Sequence, residues 1–137
     1  MQPHSLYLHV PFCTHRCGYC DFNTYAGLEH LMGEYALALA EEMRLFREVA
    51  GERLPVHTIF FGGGTPSLLP GTDVKRILDE LRLAYLVSID AEITLEANPG
   101  TINRAYLDGL RELGVNVETG GEEVRITGRE GARACDE

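Results

Sequence analysis

Three short segments rich in β-branched and aromatic residues alternate along this chain with three segments of helical periodicity. The predicted strands are residues 5–10, 57–61 and 92–97. Between residues 28 and 49, apolar side chains recur every three or four positions, which predicts an amphipathic helix. They are Leu28, Leu31, Tyr35, Leu39, Met43, Phe46 and Val49. Alternation of strand and helix implies a parallel sheet with right-handed crossovers. The pattern fits either a doubly wound sheet or the start of a barrel.

The predicted helix ends follow ordinary capping chemistry. Gly51 and Pro55 end the first helix. Thr72 is a candidate N-cap for the second helix, and Gly114 is a candidate C-cap for the third. The apolar residues predicted to face inward are Val74, Ile77, Leu78 and Leu81 in the second helix, and Tyr106, Leu107, Leu110 and Leu113 in the third.

Size and charge narrow the function classes. The chain has 137 residues, the length of one domain, and a net charge of −9 without a run of basic residues. This balance argues against nucleic acid and against an anionic membrane surface as partners. Apolar runs such as residues 35–40 are far shorter than the ~20 residues of a membrane span. The N-terminus lacks a signal-peptide pattern, so we expect a cytoplasmic protein, in which thiols stay reduced.

Three cysteines stand within eight residues directly after the first predicted strand. Cys13, Cys17 and Cys20 have the spacing C-x₃-C-x₂-C. In a reduced compartment such a cluster favours a metal over disulfides. Thiolates hold both zinc and iron–sulfur clusters, and His15 could complete a zinc site, so both readings stay open. Cys135 is far away in the sequence, and we interpret it as incidental.

Two further motifs follow the second and third predicted strands. The glycine loop, residues 62–66 with the sequence "GGGTP", allows close approach of backbone to a ligand, but it lacks the lysine of a phosphate loop. Glu96 ends the third strand, and its carboxylate could accept hydrogen bonds from a ribose. Taken singly, these are also typical of a glycine-rich turn and a solvated carboxylate. Parallel strands bind ligands at their carboxyl ends, so the three motifs together predict one site. His9, near the cysteines, is given no role.

Together these motifs resemble the radical S-adenosylmethionine (SAM) superfamily. Within it they look like the haem chaperones of the HemW type, relatives of oxygen-independent coproporphyrinogen III oxidase. The resemblance covers residues 5–116 and is carried by "SLYLHVPFCTHRCGYCDF", "TIFFGGGTPSLL" and "EITLEANPGT". It implies an α/β fold: the N-terminal half, with three βα units, of a partial (β/α)6 TIM-like barrel, truncated in this chain.

The resemblance also implies the cofactors. Cys13, Cys17 and Cys20 would ligate a [4Fe–4S] cluster whose fourth iron is left free to be chelated by SAM. Electron transfer from the cluster would then cleave SAM to methionine and a 5′-deoxyadenosyl radical. The residues implied to surround SAM are Tyr7, Tyr19, Gly63, Gly64, Thr65 and Glu96. In this scheme Tyr19 lies beside the adenine, the glycine-loop residues hold the methionine part and Glu96 takes the ribose hydroxyls.

One departure from the family pattern bears on function. The oxidases resemble C-x₃-C-x₂-C-x-C, whereas Phe22 stands at the last of these positions here. This favours the haem chaperones, with haem, haem-acceptor proteins and an electron donor as partners, over coproporphyrinogen oxidation. The alternatives are a small zinc-binding module and an inactive truncated fragment.

A second departure begins after Asn116. The family continues with a strand resembling R-[LIV]-S-[LIV]-G-V-Q-S, but here residues 117–137 contain four glycines, six acids and three arginines. We expect a divergent, weakly ordered tail with one short strand near residues 123–127, produced by a change of reading frame near codon 116. The third strand would then keep an open edge unless the tail covers it. With half the barrel missing, we expect SAM cleavage to be impaired.

Overall fold

A computed structural model describes residues 2–13, 25–26, 28–98, 100, 102–119, 124–126 and 134–136 of the chain. The strands are β1 (His4–Val10), β2 (Phe12–Cys13), β3 (Tyr25–Ala26), β4 (Pro55–Gly63), β5 (Leu86–Ala97), β6 (Asn116–Thr119), β7 (Val124–Ile126) and β8 (Ala134–Asp136). The helices are α1 (Met32–Ala50), α2 (Gly71–Ala84) and α3 (Arg104–Glu112), with 3₁₀ turns at Glu29–Leu31 and Pro66–Leu68.

The main sheet has the strand order β1-β4-β5-β6-β7-β8. The pairs β1–β4, β4–β5 and β5–β6 are parallel, whereas β7 and β8 add antiparallel strands. β2 and β3 form a small parallel pair beside this sheet. Three strand–helix units in sequence therefore build a parallel sheet, which confirms the predicted α/β class.

The hydrophobic core lies between the sheet and the helices. Alternate residues near the carboxyl ends of β1, β4 and β5 point toward the helices and are buried, as Val10, Phe61 and Leu95 show. Each such fully buried side chain contributes about 1.5–3 kcal/mol. The face predicted for α2 is confirmed, because Val74, Ile77, Leu78 and Leu81 are all buried. In α3 the burial is complete at Leu110.

The alternate strand residues that point away from the helices form a second face, which we call the open face: Tyr7, Phe60, Thr94 and Glu96. Tyr7 is 54% exposed and Glu96 is also exposed, whereas Thr94 between the neighbouring strands is buried. The register aligns Tyr7 with Phe60 and Phe60 with Thr94 across three strands. This face and the carboxyl ends of the strands position the candidate site.

Helix ends differ from prediction in one place. α2 begins at Gly71 with Pro70 as its N-cap, not with Thr72. The Pro70 carbonyl accepts hydrogen bonds from Asp73 N at 2.9 Å and Val74 N at 3.1 Å. Proline already has the φ that a helix entry needs, and α2 begins two residues earlier than an N-cap at Thr72 would give. Gly51 and Gly114 do end their helices in left-handed conformations, with φ of 74° and 85°.

The predicted apolar stripe of the first helix is only partly correct. Met32, Ala36 and Met43 are the buried residues of α1, while Phe46 and Val49 are 48% and 87% exposed. Phe46 nevertheless stacks on Tyr85, with the ring centroids 6.0 Å apart.

The edge of β5 is covered along its last residues. β6 pairs in parallel with it, aligning Thr94 with Asn116 and Ala97 with Thr119. The tail therefore supplies the neighbour that the third predicted strand needs. β7 lies within the stretch predicted as a short strand. Within the described parts of the chain, no helix has the length and apolar character that crossing a membrane requires.

Candidate functional site at the carboxyl ends of the strands

The glycine loop is held against the start of the cysteine segment by backbone hydrogen bonds. Gly64 N donates to the carbonyl oxygen of Val10 at 2.8 Å, and Thr65 N donates to that of Phe12 at 2.7 Å. Because these acceptors flank the end of β1 and the start of β2, the loop lies beside Cys13. Two of the three sequence motifs therefore meet.

The close approach explains why glycines occupy this loop. A Cβ at Gly64 would lie 2.5 Å from the Phe12 carbonyl oxygen and 2.7 Å from Cys13 Sγ. Gly63 has a φ of 114°, and a Cβ there would lie 2.7 Å from the Val10 carbonyl oxygen. Larger residues at either position would push β1 or the Cys13 thiol aside.

The third motif, Glu96, is connected to the glycine loop through the turn that follows β5. Asn98 N donates to Ser67 Oγ at 3.2 Å, linking this turn to the segment after the glycine loop. Asn98 Oδ1 in turn accepts from Gly100 N at 3.0 Å, a local contact typical of asparagine in turns. Glu96 precedes this turn on the open face, so the ends of β1, β4 and β5 form one connected edge.

Aromatic side chains line the open face below that edge. The rings of Tyr7 and Phe60 stack with centroids 5.9 Å apart, and Tyr7 Oη lies 3.2 Å from His9 Nδ1. Partial burial raises the pKa of Tyr7, and the negative charge of Glu96 raises it further. The register aligns Tyr7 with Phe60 and Phe60 with Thr94, and Glu96 stands two residues after Thr94, so the phenol and the carboxylate lie on the same side of the sheet. His9, to which the sequence assigned no role, borders this group.

Tyr35 anchors α1 to the same edge. Its hydroxyl donates to the His9 carbonyl oxygen, and its ring meets Phe12 edge to face at 5.4 Å between centroids. Burial raises the pKa of Tyr35, and the charge of Glu42 adds to this. Sequence reasoning treated Tyr35 only as an apolar helix position. A tyrosine within a buried stripe is itself a signal, since its hydroxyl needs a partner.

The described residues contain part of the predicted metal site. Cys13 is a buried free thiol, and a thiolate suits both zinc and an iron–sulfur cluster. Cys17, Cys20, Tyr19 and His15 lie outside the described residues. Among the residues that are described, no group of three His, Cys, Asp or Glu side chains could hold a metal. The Cys13 thiol against the glycine loop is compatible with the cluster that the sequence predicts.

Cys135 occupies a different part of the fold. It belongs to β8, the last strand of the main sheet, and pairs with Arg125. Three strands, β5, β6 and β7, stand between β8 and the glycine-loop strand β4 in the sheet order.

Comparison with known proteins identifies the family. The sequence model of the radical SAM superfamily matches residues 7–133. The chain therefore belongs to the radical SAM superfamily, as its motifs predict.

Its relatives within the superfamily include haem chaperones. The heme chaperone HemW of Synechocystis sp. is 41% identical over 125 residues, an alignment that covers 85% of this chain and 29% of the relative. HemW of Escherichia coli is 43% identical over 122 residues, covering 85% of this chain and 31% of the relative. The predicted resemblance to this group is confirmed.

A solved structure supports the fold assignment. Coproporphyrinogen III oxidase (HemN) from Escherichia coli, described as a radical SAM enzyme, has a TM-score of 0.78 and 33% identity to this chain. The match covers 88% of this chain and 28% of that one. The chain thus spans less than a third of the length of these relatives and corresponds to part of their fold.

Proposed function

We propose that this chain is the N-terminal part of a radical SAM protein of the haem-chaperone type. In this proposal Cys13, Cys17 and Cys20 ligate a [4Fe–4S] cluster, and SAM lies along the edge formed by the ends of β1, β4 and β5. The observation that carries it is the contact between the Cys13 thiol and Gly64, where a Cβ would lie 2.7 Å from Sγ. A thiol held against a glycine-rich loop at the carboxyl ends of parallel strands is typical of a cofactor site.

Each of the other candidate residues has a chemistry that suits SAM. Gly63, Gly64 and Thr65 are proposed to hold the methionine part. Glu96, exposed at the end of β5, offers carboxylate oxygens to the ribose hydroxyls. Tyr7 lies on the same face, and Tyr19 is proposed to contact the adenine. The chemistry that the cluster supplies when bound is one-electron reduction of the SAM sulfonium.

The link to haem rests on the relatives. Proteins named heme chaperone share 41% and 43% identity with this chain, and Phe22 stands where the oxidase pattern has a further cysteine. We therefore favour transfer of haem to acceptor proteins, with an electron donor for the cluster, over coproporphyrinogen oxidation. A cytoplasmic location, a place in porphyrin metabolism and the absence of nucleic-acid partners stay predictions.

Anaerobic reconstitution with iron and sulfide tests the proposal. We expect about four irons with acid-labile sulfide per chain, as the ligand set implies. Replacing Cys13, Cys17 or Cys20 singly with alanine should abolish the cluster, while Cys135→Ala serves as the matched control and should retain it. Tight binding of zinc alone, dependent on His15, would instead favour the small zinc-binding module.

A further inference from the structure

Ser67 is a buried polar side chain between two parts of the candidate site. It lies in the 3₁₀ turn Pro66–Leu68, directly after the glycine loop, and is only 3% exposed. Its Oγ accepts the hydrogen bond from Asn98 N at 3.2 Å. Burying a hydroxyl is unfavourable unless it is hydrogen-bonded, so this contact is a specific feature of the turn.

The position of this hydrogen bond gives it a consequence for the site. On the β1 side, the glycine loop is fixed by backbone donors, Gly64 N and Thr65 N, which every residue except proline retains. On the β5 side, a link runs through the side chain of Ser67 to Asn98. The pairing of β4 with β5 ends at Phe61 and Leu95. Beyond that pair, the hydrogen bond from Asn98, two residues after Glu96, to Ser67 constrains where the end of β5 lies relative to the glycine loop.

We propose that Ser67 is a positioning residue that fixes the separation between the glycine loop and Glu96. The identity of the ligand rests on the proposed function: SAM, with its amino-acid end at the loop and its ribose at Glu96. A ligand that contacts two sites held at a fixed separation binds more tightly than either half of that ligand binds alone. The reason is that, once one half is bound, the second contact forms within the complex. Loosening the separation lowers the affinity for the whole ligand and leaves the affinity for each half unchanged.

Binding of SAM, methionine and adenosine to the anaerobically reconstituted chain tests this. Ser67→Ala should weaken SAM binding by about 5- to 10-fold, because one hydrogen bond is lost. The affinities for methionine and for adenosine should stay within about 2-fold of those of the wild type. Ser67→Thr keeps the hydroxyl and should retain more SAM affinity than Ser67→Ala. Ser88→Ala, the same change on the distant half of β5, is the matched control. Equal weakening of all three ligands, or unchanged SAM binding, would overturn the positioning role.

Amide hydrogen exchange separates this inference from the proposed function, because it needs no ligand. In the ligand-free chain, Ser67→Ala should raise the exchange rate of the Asn98 amide at least about 3-fold. The exchange rates of the amides that pair β4 with β5 should stay unchanged. If the wild-type chain binds no SAM, the proposed function fails for this chain, and exchange alone decides the role of Ser67. Faster exchange at Asn98 supports it, and unchanged exchange overturns it.

Discussion

Gly64 is the residue of the glycine loop whose backbone lies against the Cys13 thiol. A Cβ there would lie 2.5 Å from the Phe12 carbonyl oxygen and 2.7 Å from Cys13 Sγ, and both neighbours belong to the short strand β2. We predict that Gly64→Ala lowers the free energy of unfolding by about 1–3 kcal/mol, the usual cost of overpacking. It should also reduce the iron retained after reconstitution. Thermal melts and iron analysis measure the two effects.

The chain provides a matched control for this substitution. Gly109 lies in α3, where a Cβ would have no neighbour within 4 Å among the described residues. Gly109→Ala should stabilise the chain by roughly 0.5–1 kcal/mol, because alanine favours the helix, and should leave iron content unchanged. If Gly64→Ala behaves like Gly109→Ala, then the loop does not need glycine at position 64.

Among the helices, α3 is joined to the site by a partly buried tyrosine, Tyr106. Tyr106 Oη donates to the Leu69 carbonyl oxygen at 2.7 Å, just beyond the turn that contains Ser67. Tyr106→Phe removes this donor and leaves a partly buried carbonyl without it. We predict a loss of about 0.5–1.5 kcal/mol in unfolding free energy, measured by urea denaturation at neutral pH. Unchanged stability would show that water replaces the phenol at no cost.

The pH dependence of that loss is a separate prediction. Burial raises the pKa of Tyr106 well above its ordinary value, because the neutral phenol is favoured in the folded state. A raised folded-state pKa gives stability that is fully present below the unfolded pKa, about 10 for tyrosine, and is lost as pH rises through the folded value. The stability difference between wild type and Tyr106→Phe should therefore shrink above about pH 10. Denaturation series at rising pH measure it, and a constant difference would contradict the assignment.

Periodicity and turn residues predicted the elements but not the contacts that connect them. The buried stripe of α2 could be recognised because its neighbours in space are neighbours along the helix. The bond from Tyr35 to His9 spans 26 residues and that from Asn98 to Ser67 spans 31. Such pairs are set by how the strands lie side by side, and no local pattern encodes them. The first half of β5, Leu86 to Glu92, was missed for a different reason. Apolar and polar residues alternate from Val87 to Ala97, so the pattern allowed a longer strand than the one predicted. The register shift of β5 against β4 between Val56 and Thr58, in contrast, has no local signal.

For the whole molecule, the size of the chain sets an expectation for SAM. The chain spans 28–31% of the relatives compared here, and the open face is exposed at Tyr7 and Glu96. Each polar contact absent from a binding site costs about 0.5–1.5 kcal/mol, so several together cost orders of magnitude in affinity. We predict weak SAM binding by calorimetry and little 5′-deoxyadenosine. Robust cleavage by these 137 residues would show that they suffice.

The origin of residues 117–137 is a question for the coding DNA. We propose a division at residue 116 and a change of reading frame near codon 116, because the glycine- and acid-rich composition changes there while the preceding turn leads into a strand. One of the other two frames should encode a stretch close to R-[LIV]-S-[LIV]-G-V-Q-S followed by further βα units. If neither does, the reading-frame proposal is wrong and the tail has a role of its own.

Whatever its origin, the tail covers an edge of the sheet, and this role can be measured. β6 pairs with Thr94–Ala97 of β5, the stretch that carries Glu96, and an unpaired strand edge promotes association between chains. Deleting residues 116–137 should expose this edge, speed amide exchange in the second half of β5 and increase self-association in light scattering. Deleting only residues 127–137 keeps β6 and β7 and is the matched control, with a smaller effect expected. If the longer deletion stays monomeric with unchanged exchange at Glu96, then β6 does not protect the edge of the sheet.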